Sequence, residues 1–179
     1  MTVTEYILNY DPGIPTVWMV GIYLVVGCAI VTQFLYAESI AEIIRNSSFV
    51  LLAGYVFLVL CSTIICRDLY PKAHYNLLPF LHIHSKNVAI IGERILNILL
   101  FVPIGLLASV VLNKLRFVKV CLLGACLSVS IELLQLFLKK GVCNIDDVIH
   151  NTLGCFIGYG LFLLCYKPIC RIKKTGLLT

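Results

Sequence analysis

At 179 residues, 60% of them hydrophobic and only 13% charged, with a mean hydropathy of +0.99, the chain carries about half the charged fraction of an ordinary soluble domain. That balance excludes a water-soluble globular domain and implies an all-α, polytopic helical membrane protein. The formal net charge of +5 has to be read by position, because in a membrane chain basic residues report orientation.

A helix needs about 20 apolar residues to cross a hydrocarbon core roughly 30 Å thick. The N-terminal MTVTEYILNYDPGIP has neither a basic n-region nor a small-residue cleavage site downstream, so the first apolar run is expected to stay as a helix rather than leave as a signal peptide. That run covers about Val17 to Leu35. Others cover Phe49 to Cys66, Ile95 to Leu112, Phe117 to Leu138 and Val148 to Tyr166. The expectation is about five transmembrane helices in one domain, residues 1–179, whose partner is the lipid bilayer.

Between the second and third runs lies a long polar stretch, RDLYPKAHYNLLPFLHIHSKNVAIIGER, from Arg67 to Arg94. Pro71 and Pro79 argue against one continuous helix. NLLPF and LHIHS are apolar enough to lie in the headgroup layer, as an Ω-like or re-entrant segment would. If the C-terminal tail (167–179) is cytoplasmic, eight of the 14 basic residues lie inside and six outside, the direction the positive-inside rule expects. This puts the N-terminus outside, the C-terminus inside and the polar stretch on the extracytoplasmic side. The basic tail reads as a contact for anionic headgroups, at about 1 kcal/mol per residue, and implies no nucleic-acid partner.

Nine cysteines would suggest a disulfide framework in a small secreted domain. Here most fall inside apolar runs, where a thiol behaves as a small hydrophobe. Only Cys66, Cys143 and Cys170 are placed near water, and no Cys/His spacing marks a zinc site. His74, His82, His84 and His150 read as surface or interfacial residues. A hard cation held by carboxylates is not selected by any spacing, so no metal is assigned and no cofactor is named by the residues.

The informative stretch is SIELLQLFLKKGVCNIDDVIHN, Ser130 to Asn151. Glu132 and Gln135 share a helix face at i, i+3. Glu132 lies about 9 Å inside the end of its run at 1.5 Å per residue, where a carboxylate is costly unless it faces the bundle and finds a partner. On the next helix Asp147, Asn151, Gly154 and Gly158 form one face. Its glycines admit a close neighbour, expected to be the preceding helix because the connecting loop is short. Asp146 taken alone reads as a helix cap, and Glu132 with Arg67 or Arg94 could be a structural ion pair. Taken together, clustered intramembrane ionisable residues mark a site.

Three segments resemble the VanZ-like family of small bacterial membrane proteins: NLLPF, LNILLFVPIGLL, and SIELLQ followed by NIDDVIHNTLGCFIGY. The order and spacing agree over roughly Arg67 to Tyr166, the expected core. The resemblance implies polar functional positions at Asn76, Asn97, Glu132, Gln135, Asp146, Asp147 and Asn151, with Arg67 as the upstream base. Many relatives carry an arginine and an aromatic between the glutamine and the aspartate pair. Here LFLKKGVCNI offers only Lys139 and Lys140, so that role is absent or has passed to a lysine.

The family's namesake is linked to resistance to the lipoglycopeptide teicoplanin, which implies a site at the cell envelope. Two functions follow. In one, a membrane enzyme modifies a lipid-linked wall precursor or a lipid headgroup, with Glu132, Asp146 and Asp147 catalytic and Arg67, Asn76, Asn97, Gln135 and Asn151 binding substrate. In the other, a non-catalytic module binds a wall component, a glycopeptide or a partner protein.

Overall fold

The computed structural model describes residues 1–36, 39–81, 84–112 and 117–174. His82, Lys114, Arg116 and the end of the basic tail lie outside them.

Six helices and two short strands follow in order: α1 (Val3–Leu8), α2 (Thr16–Tyr36), α3 (Ile40–Leu60) continued by a π-helical turn (Cys61–Ile65), β1 (His74–Asn76), α4 (Val88–Val111), α5 (Phe117–Leu138), β2 (Val142–Asn144) and α6 (Ile145–Lys174). Among the described residues four helices are long and apolar enough to cross a membrane: Ile40–Ile65, Val88–Val111, Phe117–Leu138 and Ile145–Cys165. The first expected span differs. Its apolar stretch, Trp18–Gln33, is shorter, although α2 as a whole has 21 residues.

Three helices begin earlier than their apolar runs, and capping explains it. Ser39 accepts the Glu42 N–H ahead of α3, and Asn87 accepts the Ala89 N–H ahead of α4. Asn144 accepts the Asp146 N–H ahead of α6. A side-chain acceptor satisfies an orphan donor of the first turn, so polar first turns fold as helix although hydropathy skips them.

Gly13 lies near the carbonyl of Cys66, and Gln33 accepts a hydrogen bond from Asn46 at 3.2 Å. α2 therefore runs antiparallel to α3 from one end of the bundle to the other. The ends of α3 and α5 and the starts of α4 and α6 share the end where the N-terminus lies. There β1 and β2 pair in parallel, Asn76 opposite Asn144. The Tyr70 N–H donates to the Lys139 carbonyl at 2.7 Å, and Lys140 Nζ donates to the Ile65 carbonyl at 2.9 Å. Lys139 adopts a φ of 55°, and the Lys139 and Lys140 N–H groups return to Leu136 and Gln135. This left-handed cap ends α5 and turns the chain into β2.

The glycine face of α6 corrects one expectation. A Cβ on Gly154 would strike the Ile98 carbonyl, and one on Gly158 the Val102 carbonyl, both on α4. The close partner is therefore α4 and not the preceding α5. Both contacts advance by four residues, so α4 and α6 run parallel, backbone on backbone. Gly105 and Gly124 make room for Cys155. Pro103 lies inside α4 and withdraws a donor from that helix. Tyr55 Oη donates to the Leu100 carbonyl at 3.0 Å and Cys155 Sγ to the Phe101 carbonyl at 3.6 Å, which ties α3 and α6 to α4 beside the proline.

Candidate functional site

Asn144 is the hub of the polar end, and both the oxygen and the nitrogen of its side chain are bonded. Its Oδ1 accepts from the Asp146 N–H at 3.2 Å and from Asn76 Nδ2 at 3.5 Å, while its Nδ2 donates to Asp147 Oδ1 at 3.2 Å. Its backbone N–H donates to Glu132 Oε2 at 2.7 Å. Sequence reasoning missed it as a site residue. The available signal was an asparagine two residues ahead of an acidic pair at a helix start.

Glu132, only 4% exposed, thus takes a backbone N–H and not Arg67 or Arg94. Among the described residues the one ion pair joins the Met1 amine to Glu5. Asp146 is also buried, at 5% exposure, and its Oδ1 accepts the Phe80 N–H at 2.7 Å. Phe80 has a φ of 61°, a left-handed conformation uncommon for a bulky side chain, and this bond holds it. Through that contact Asp146 fastens the NLLPF loop, whose Leu77, Leu78, Phe80 and Leu81 remain exposed, as side chains immersed in a headgroup layer would be.

A cleft lies in front of this network, in two lobes that share Tyr10, Arg67, Leu96, Asn97 and Asp147. The deeper lobe, about 280 Å³, is bounded by Tyr55, Leu99, Leu100, Thr63 and Gln135. The outer lobe, about 200 Å³, is bounded by Tyr6, Tyr70, Glu93, Val142 and Asn144. Asn97 stands beside Asp147 on the wall that both lobes share. Gln135 Nε2 donates to the Thr63 carbonyl at 2.9 Å, inside the π-helical turn, a distortion frequent at functional sites. A Cβ on Gly141 would lie 2.8 Å from Arg67 Nη1 and 3.1 Å from the Gln135 amide carbon. The bare glycine is what lets the guanidinium reach the cleft.

Of the residues singled out from the sequence, Arg67, Asn97, Gln135 and Asp147 line the cleft. Asn76, Glu132 and Asp146 stand behind it and hold its wall. Asn151 lies one helical turn deeper, donating to Ser128 Oγ at 2.8 Å. His150 lines neither lobe. Cys143, placed near water by its sequence position, is buried in β2. Burial, and then the Glu132 and Asp147 carboxylates, push its thiol up. Tyr6, Tyr10, Tyr70 and Glu93 were not legible as site residues, because α1 and the start of α4 meet only in the fold. Gly92 exposes its backbone to the Tyr6 ring. Burial, followed by the Glu93 carboxylate, pushes the Tyr6 phenol above the usual tyrosine range. Among the described residues no three His, Cys, Asp or Glu side chains have metal-binding geometry.

A family model described as VanZ/LLP1 matches residues 22–166. The chain belongs to this family. The match begins at Ile22, well before the Arg67 at which the resemblance starts, and so takes in α2, while Tyr6 and Tyr10 precede it. Protein VanZ of Enterococcus faecium is similar to the chain, 31% identical over 110 residues, which cover 57% of this chain and 68% of that protein. No solved structure matches. The family assignment and the four long apolar helices describe a multi-pass membrane protein.

Proposed function

We propose that this VanZ/LLP1-family protein acts on a cell-envelope component, a lipid-linked wall precursor or a lipid headgroup, at the outer face of a bacterial cytoplasmic membrane. The observation that carries this reading is the cleft itself. Asp147 and Arg67 border both of its lobes, where α4 and α6 start. In this reading Asp147 serves as the acid–base group, since it borders the space a substrate would fill. Arg67, Asn97 and Gln135 orient the substrate. Glu132, Asp146, Asn76 and Asn151 act one layer back, positioning Asn144, the NLLPF loop and α6. The bias of basic residues in the sequence, eight against six, supports the outward orientation.

The decisive experiment is mass spectrometry of envelope lipids, wall precursors and muropeptides from matched cells lacking the protein, expressing it, or expressing Asp147→Asn at equal abundance. A species that changes with the native protein and not with the variant is the expected result. No change in any species, together with altered teicoplanin sensitivity, favours the second reading, a non-catalytic module that binds a wall component, a glycopeptide or a partner protein. One observation favours that reading: Glu132 and Asp146 each hold a backbone N–H, which leaves one of the three expected catalytic carboxylates facing the cleft.

A further inference from the structure

The two lobes differ in chemistry, and the difference names a ligand class. The outer lobe holds one cation and two carboxylates, Arg67, Glu93 and Asp147, ringed by Tyr6, Tyr10 and Tyr70. Among the described residues no carboxylate lies within ion-pair distance of Arg67. A guanidinium presents a planar fork suited to phosphate oxygens. Tyrosine faces beside carboxylates attract an ammonium group by cation–π and charge attraction. The deeper lobe is bounded largely by apolar surface, and Leu99 at its edge is 51% exposed. Leu99 lies 11 residues into α4, about 16 Å below its start, so this lobe opens sideways at acyl-chain depth.

Building on the reading above, we propose that the cleft binds a zwitterionic phospholipid-type ligand. Its phosphate sits on Arg67, its ammonium among Tyr6, Tyr10, Tyr70, Glu93 and Asp147, and the start of its apolar chain in the lobe bordered by Leu99 and Leu100. Tyr6 and Tyr10 precede the segment that matches the family, whereas Tyr70, Glu93 and Asp147 lie within it.

The test is native mass spectrometry of the full chain released from nanodiscs containing equal amounts of phosphatidylethanolamine, phosphatidylglycerol and a phosphate-free diglucosyl diacylglycerol. Phosphatidylethanolamine should be retained about tenfold over phosphatidylglycerol, corresponding to about 1.4 kcal/mol, and phosphatidylglycerol in turn over the glycolipid. Arg67→Gln should erase the preference for phospholipid over glycolipid, and Arg67→Lys should keep most of it. Glu93→Gln combined with Tyr10→Leu should erase the preference for phosphatidylethanolamine over phosphatidylglycerol alone. Equal retention of the three lipids by the native protein, or selectivity unchanged in these variants, overturns the proposal. Displacement by soluble phosphoethanolamine as strong as by the lipid overturns the role of the deeper lobe. Selective retention with no envelope change defeats the catalytic reading and leaves this site standing. An envelope change without selectivity defeats this site alone.

Discussion

The two sides of the bundle are held by different means. Across the α4–α6 seam, backbone meets backbone: Gly105, Gly154 and Gly158 leave no room for a methyl group, and the neighbours are carbonyls and main-chain atoms. Between α2 and α3 the contact is side chain on side chain. There an open apolar groove of about 540 Å³ runs between Trp18 and Phe57, and Gly21 and Gly27 face empty space. In lipid, where the hydrophobic effect supplies little drive between helices, close approach through small residues is what locks a pair. The site is built on the locked pair, so Asp147 and Asn97 stand on helices whose backbones meet directly.

This comparison is open to attack at graded strength. The largest effect should come from Gly158→Leu or Gly154→Leu, which would drive a side chain into α4 backbone. The cost should exceed the about 1–3 kcal/mol usual for overpacking, and size-exclusion chromatography should recover no monodisperse protein. Asn144→Ala removes the cap of α6 and the bonds to Asn76 and Asp147, and should lower stability by roughly 2 kcal/mol, read as thermal unfolding in detergent. Asp146→Ala should cost about 1 kcal/mol, with protease cleavage appearing within residues 77–87. Gly141→Ala should cost little stability, since the flexible end of Arg67 and, by a few tenths of an ångström, the Gln135 amide have to shift, yet it should impair the envelope phenotype as that guanidinium is displaced. Gly21→Ala on the looser side should change stability by less than about 0.5 kcal/mol. If it proved as harmful as Gly158→Leu, the contrast between the two sides would be lost. The outward placement of the cleft has its own check: single cysteines at Lys86 and Lys174 in a cysteine-free variant should be labelled from outside at 86 only.

The apolar runs were legible because a helix in lipid has to be apolar along most of its length. Their starts were not, since capping by Ser39, Asn87 and Asn144 recruits polar residues that hydropathy reads as loop. Arg67, Asn97, Gln135 and Asp147 were legible as polar groups in expensive places, and the fold gathers them around one cleft. Their division of labour was not. Nothing in the spacing of Glu132 and Asp146 reveals that a backbone N–H occupies each, because those partners lie 12 and 66 residues away. The tyrosines of the N-terminal segment carry no local signal at all.

What the sequence determined by itself is the class of molecule, a helical membrane protein with polar groups gathered at one end, because composition and 3.6-residue periodicity are local properties that lipid enforces. The tertiary structure decided which helix the glycines press, which carboxylate faces open space, and that α1 joins the cleft. Those are contacts between segments remote in the chain, selected by how closely backbones can approach and by which buried donors must be satisfied.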